Sequence, residues 1–224
     1  NQLFIDKFYE LAAGQDRDLA GVTTTIEDYW FTVEGKTGAA FALACACGAI
    51  VGTDDPNLIA SCDHFGHHVG MTLQIFNDVS KSVNRYPQFS IFDDVNATVK
   101  DGVVTLIGQV TMLYKGDEIE KRVANIDGVR EVRSKISVLP VSQSDDRLRY
   151  QIARAIYGNP NFWNYAIGPN PSIHIIVEHG HVRLTGVVLN QLDRQYARTL
   201  VNQFGVMSVS NELKTEAEGR DELE

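Results

Sequence analysis

The chain has 224 residues, 44% of them hydrophobic and 22% charged, and a formal net charge of −9. That composition is ordinary for a globular protein with room for one large core or two to three small ones. An acidic chain without a basic stripe argues against nucleic acid as a partner. No uninterrupted run of 18 apolar residues occurs, so no transmembrane segment is expected.

Charge and cysteine are unevenly placed. Residues 1–81 hold 4 basic and 11 acidic side chains, whereas residues 82–224 hold 16 and 18. Cys45, Cys47 and Cys62 all fall in the first part. These differences mark two segments of different character.

The first 80 residues carry a helical pattern. A helix is predicted from a cap at Thr25, with Asp28 three residues on, to the glycines at 48 and 52. Asp55-Pro56 then supplies an N-cap and a first-turn proline. The following helix is predicted to carry Leu58, Ile59, Cys62, Phe65, Gly66 and Val69 on one face, and to run unbroken to about Tyr86. Cys45 and Cys47 stand two apart on a helix and point to opposed sides, so they read as packing residues. His64 and His68 share a face at four-residue spacing, but a third metal ligand is missing.

Three motifs in this segment resemble the trans-isoprenyl diphosphate synthases, in order and at the spacing of that all-α family. Gly14-Gln15 with Asp18-Leu19 matches one, and Lys36-Thr37-Gly38-Ala39 with Phe41 matches the next. Phe65-Gly66, Gly70 and Gln74-Ile75 match the third. The resemblance implies that Lys36, Thr37 and Gln74 bind a substrate diphosphate. It also implies Mg²⁺ held by an aspartate-rich motif, which here reads Asn77-Asp78-Val79-Ser80-Lys81, leaving Asp78 as a lone metal candidate. No catalytic residue is assigned, and condensation by this chain alone is not expected.

From about residue 75 the pattern changes to a repeat. VKDGVVTLIGQV at 99–110 aligns with VEHGHVRLTGVV at 177–188, an offset of 78. Each half alternates apolar residues into a two-residue turn, Asp101-Gly102 or His179-Gly180, which is a hairpin signal. Upstream, Val83, Pro87 and Phe89 match Ile156, Pro160 and Phe162; downstream, Gly128-Val129 matches Gly205-Val206. Each copy therefore reads helix, strand, strand, helix, strand. His174, His179 and His181 read as polar hairpin surroundings rather than a metal site. Trp163 and Tyr165 sit in a loop rich in Asn and Pro and are expected to cover the core.

These residues resemble the BON domain, with Asn211 of its closing motif present in the second copy and Ser134 in the first. The resemblance implies a non-catalytic module of the bacterial envelope or periplasm, working at phospholipid or protein surfaces. A cofactor is not expected, except Mg²⁺ if the synthase reading holds; that reading would place the chain in the cytoplasm.

The expected protein is α+β. A helical fragment (1–80) precedes two αββαβ domains (75–140, sharing its leading helix with the fragment, and 144–215) and an acidic disordered tail (216–224). A fragment lacking the rest of its bundle exposes apolar faces, so a homo-oligomer or a covering partner is expected. The whole reads as a chimera or gene fusion.

Overall fold

A computed structural model describes residues 2–21, 26–167 and 171–221. The fold is α+β, a helical segment followed by two sheet-bearing repeats. The chain divides into two compact units. One gathers the chain up to Lys81 with Ala97–Thr105 and Arg122–Arg133; the other gathers Ser82–Asn96, Leu106–Lys121 and the chain from Ser134. The first repeat thus contributes to both.

The helical segment opens with α1 (Gln2–Ala20) and α2 (Ile26–Val33). Between α2 and α3 (Ala39–Gly52), residues Glu34–Gly38 form a π-helical turn. The expected single helix is therefore continuous but widened at the Lys36-Thr37 motif. Such single-turn π insertions concentrate at functional sites. The Thr25 cap lies outside the described residues.

Glycines set the packing distances. A Cβ on Gly14 of α1 would sit 2.5 Å from the backbone nitrogen of Lys36. One on Gly66 would sit 2.3 Å from the carbonyl oxygen of Phe41. Both approaches are closer than any side chain permits, so α1 and the fourth helix press directly onto the backbone around the π turn. Ala39, Ala42 and Ala46 supply the small buried face of α3.

Helix α4 (Pro56–Asn84) is one element of 29 residues, about 43 Å long at 1.5 Å per residue. Asp55 Oδ1 accepts from Asn57 N at 2.9 Å, capping its start as the Asp-Pro pair predicts. Ile75, Val79 and Val83 are buried, as their spacing predicts. The upstream face holds only in part: Gly66 is buried and Ile59 and Cys62 half-buried, but Leu58, Phe65 and Val69 are exposed, and Gly70 and Met71 are buried instead. Apolar periodicity cannot reveal that the close helix contact runs along the glycines.

Exposed apolar side chains are frequent here, among them Phe4, Phe8, Leu19, Val51, Leu58 and Phe65. The 22-residue helical stretch Phe31–Gly52 contains an 18-residue window with a mean hydropathy of 1.4, long and apolar enough by length and composition to cross a membrane. Glycine, threonine and two charges, Glu34 and Lys36, interrupt its apolar run. Core helices meet the same criterion.

The first repeat continues with β1 (Asp94–Lys100), β2 (Val103–Val110), α5 (Leu113–Ala124) and β3 (Glu131–Val138), in sheet order β1-β2-β3. The second comprises α6 (Gln143–Tyr157), a short α7 (Trp163–Ala166), β4 (Ile173–Glu178), β5 (His181–Val188), α8 (Gln191–Asn202) and β6 (Ser208–Asn211). Both copies show the predicted element order. Turn residues Asp101 (φ 52°) and Gly102 (φ 75°) match His179 (φ 51°) and Gly180 (φ 78°), as a hairpin of this length requires.

In the second repeat β4 and β5 are antiparallel with Val177 opposite Val182, and β6 joins β5 in parallel. Helices α6 and α8 bring Ile152, Ile156, Ala197, Leu200 and Val201 onto Ile173, Ile175, Leu184 and Val188, with Phe162 and Leu213 completing the core. Tyr165 is buried there, but Trp163 is 73% exposed, against the expectation for that loop. The two aromatics stand two apart in a single helical turn, so only one can face inward.

The tail also differs from expectation. β7 (Lys214–Thr215) pairs with β5, and α9 (Glu216–Asp221) follows it. The Glu218 carboxylate accepts from Thr215 N at 2.8 Å and from Arg194 and Gln191, which lets an acidic segment fold locally. Residues 222–224 lie outside the described part.

Candidate functional site

The π turn places Lys36 and Thr37 beside the middle of α4. Thr37 Oγ1 donates to Gln74 Oε1 at 3.3 Å, Gln74 Nε2 donates to Asp78 Oδ2 at 2.9 Å, and Tyr29 OH donates to the same oxygen at 3.0 Å. Lys81 Nζ stands 3.9 Å from Asp78 Oδ1. Thr37, Gln74, Asp78 and Lys81, all singled out by sequence, are thus brought together. Lys36 instead pairs with Asp18 at 2.5 Å. Burial, then the charge of Asp78, pushes the Tyr29 hydroxyl well above the usual phenol range, so it remains a donor.

Tyr29 was not singled out by sequence. It precedes Lys36 by two helical turns, and that i, i+7 relation is its only signal; no motif includes it.

The donor set does not fit a hard cation. Mg²⁺ takes near-octahedral oxygen ligands, commonly carboxylates. Asp78 alone remains of the motif, one of its oxygens already accepts two hydrogen bonds, and an ammonium stands by the other. Among the described residues no group of three His, Cys, Asp or Glu side chains could hold a metal. His64 and His68 keep their shared face, with ring centroids 6.3 Å apart, and the His67 ring stands edge-on to His68 at 6.0 Å.

Two charged arrangements organise the second unit. Asp93 is fully buried and accepts from Lys115 Nζ (2.6 Å), Ser90 Oγ (2.7 Å) and Thr111 N (2.7 Å). Burial pulls its carboxyl up, but the Lys115, Ser90 and Thr111 donors outweigh this and hold it below the usual range. Arg183 bridges Asp94 (2.8 Å) and Gln109 (2.9 Å), tying second-repeat strand β5 to first-repeat residues.

At the second hairpin, Asp145 on α6 accepts from His179 N and Gly180 N, both at 2.9 Å. Burial opposes its ionisation, but the Gly180 and His179 amides and Ser142 depress the carboxyl overall. One helical turn on, Arg149 Nη2 donates to Val177 O at 2.6 Å. Asn211 Nδ2 donates to Arg194 O at 2.7 Å, fixing the closing strand to α8.

At the end of the repeat, Tyr165 OH donates to Asp193 and accepts from Leu189 N, joining the α7 loop to the start of α8. Burial and then the Asp193 hydrogen bond push that hydroxyl up to about 12. Around this tie Trp163, Ile167, Leu189 and Leu192 are exposed, Leu192 to 77%.

Comparison with known proteins matches both resemblances. The polyprenyl synthetase family pattern matches residues 1–90, and the BON domain pattern matches 74–140 and 144–217. The BON matches together cover more than half of the residues, and the chain belongs to the BON-domain family, with two copies behind a polyprenyl synthetase-like segment.

A geranylgeranyl diphosphate synthase of Mycobacterium tuberculosis is 38% identical over 55 residues, 25% of this chain and 16% of that protein. A short chain isoprenyl diphosphate synthase of Methanothermobacter thermautotrophicus is 26% identical over 127 residues, 55% of this chain and 38% of that protein. The chain therefore spans well under half the length of these relatives. A solved C-terminal domain of CdsD, a structural protein of the type III secretion system of Chlamydia trachomatis, aligns at 15% identity. That alignment covers 67% of this chain and 69% of the other, with a TM-score of 0.27.

Proposed function

We propose that this chain is a non-catalytic binding module of the bacterial envelope, its tandem BON units engaging a phospholipid or protein surface. The observation that carries the reading is the exposure of Trp163, Ile167, Leu189 and Leu192 on the two segments that the buried Tyr165 hydroxyl ties together. A patch of this kind, with an amphipathic aromatic at its edge, is suited to an apolar or interfacial partner. The helical fragment's exposed apolar side chains fit a covering partner or a second copy of the chain.

Flotation of the full chain with vesicles of anionic phospholipid tests the reading. Binding that falls at least fivefold in Trp163→Ala/Leu192→Ser is expected. Unchanged flotation of the variant would overturn the assignment of the patch.

A second reading, a subunit related to isoprenyl diphosphate synthases, is favoured by the Thr37–Gln74–Asp78 hydrogen-bond chain. In that reading Lys36 and Thr37 contact a diphosphate, Gln74 sits beside it, and a partner supplies the metal-binding carboxylates. Radiolabelled isopentenyl and allylic diphosphates with excess Mg²⁺ separate the two. No product is expected from the chain alone, and product abolished by Lys36→Ala would establish the second reading.

A further inference from the structure

The two repeats share a hairpin turn but treat it differently. Two successive residues at positive φ turn their amide N–H groups toward one point, a concavity suited to an anion. In the second repeat that point is filled from within by the Asp145 carboxylate, at 2.9 Å from each amide. In the first repeat the turn has the same geometry, Asp101 at φ 52° and Gly102 at φ 75°.

The leading helices align at an offset of 73, from Val83/Ile156, Pro87/Pro160 and Phe89/Phe162. That offset puts Thr72 at the place of Asp145 and Phe76 at the place of Arg149. Among the described residues, no side chain accepts from the amides of Asp101 or Gly102. Where Arg149 reaches the carbonyl of Val177, the first repeat has Phe76 beside the equivalent Val99. A groove of about 400 Å³ opens there, lined by Phe65, His68, Val69, Thr72, Phe76 and Val99. That volume lies in the range of small-ligand sites.

We infer that the first repeat binds a long-chain carboxylate. Its head sits on the Asp101 and Gly102 amides, in the place Asp145 occupies in the other copy. Its chain lies in the apolar groove along α4. The head group is assigned by the second repeat, which shows this turn accepting a carboxylate; the chain is assigned by the lining. Asp101's own carboxylate is exposed to solvent, where its repulsion is screened. This site deepens the binding reading but is separate from the Trp163 patch, so either can fail alone.

The test titrates the full chain with dodecanoate below its micellar concentration, with methyl dodecanoate, and with acetate, by calorimetry and amide NMR. Dodecanoate is expected to bind and to shift the amide resonances of residues 101 and 102. The ester, lacking the charged head, and acetate, lacking the chain, are each expected to bind at least tenfold more weakly. Thr72→Asp copies the second repeat and is expected to weaken dodecanoate at least tenfold with an unchanged melting temperature. Equal affinity for acid and ester, no binding of dodecanoate, or undiminished binding in a folded Thr72→Asp variant would each overturn the proposal. The acid–ester comparison on the unsubstituted chain decides by itself if the variant does not fold.

Discussion

Asp93→Asn isolates the buried charge of the first repeat. The Asp93 side chain is fully buried and that of Lys115 is 7% exposed, with 2.6 Å between Oδ2 and Nζ. The substitution preserves shape, but Ser90 N donates to one carboxylate oxygen and Thr111 N to the other, so the amide nitrogen leaves one of these donors unpaired. It also removes the charge opposite a buried ammonium, and stranding one member of a buried pair costs about 3–5 kcal/mol. Against a domain stability of about 5–15 kcal/mol, that is a third or more of the total in many cases.

Urea unfolding at pH 7, followed by circular dichroism and by hydrogen exchange over residues 103–110 and 134–138, measures the loss. Asp93→Asn/Lys115→Met is expected to recover part of it, because no ammonium is then buried unpaired. The pH dependence has a definite sign. The Asp93 carboxyl is depressed in the folded chain, so its contribution is present above the unfolded value, about 3.9, and is lost as pH falls through the lower folded value. The gap between parent and Asp93→Asn should therefore narrow below about pH 4. A cost under about 1 kcal/mol at pH 7, or a gap that is flat with pH, would refute the reasoning.

Val79→Asp places a carboxylate at a fully buried position of α4, and is expected to cost several kcal/mol while leaving hydrogen exchange over 177–213 near the parent's. Gly66→Ala forces a methyl to within 2.3 Å of the Phe41 carbonyl and should lower the melting temperature; Gly48→Ala, with open space around it, should not. Asn211→Ser, which copies the first repeat's Ser134, removes the 2.7 Å hydrogen bond to Arg194 O and should cost about 1 kcal/mol in urea unfolding. The chain without added partner should form no prenyl product, as measured by the labelled-diphosphate assay above.

Local patterns carried the elements. Alternation into Asp101-Gly102 and His179-Gly180 was enough for both hairpins, because a two-residue turn of this kind needs positive φ and few residues supply it. Spacing alone located Ile75, Val79 and Val83 on the buried side of α4, since helical periodicity is a property of the chain itself. Thr37, Gln74 and Asp78 were singled out through the resemblance to the synthase motifs, whereas the hydrogen bonds that join them depend on how the two helices pack.

Other features depended on what lies far away in sequence. Phe65 and Val69 look like core residues by period, yet they are exposed because the close contact on α4 runs through Gly66 and Gly70. A glycine's closeness to a neighbour is invisible until the neighbour's backbone is placed. Tyr29 joined the Asp78 network, and Glu218 folded an expected tail, through partners 49 and 24 or more residues distant. The difference between the repeats is of the same kind. Thr72 and Asp145 are unremarkable surface-type residues in a list of letters. Only the tertiary structure, by bringing each helix against its own hairpin turn, shows one turn filled by a carboxylate and the other with Thr72 in that place, lining an apolar groove.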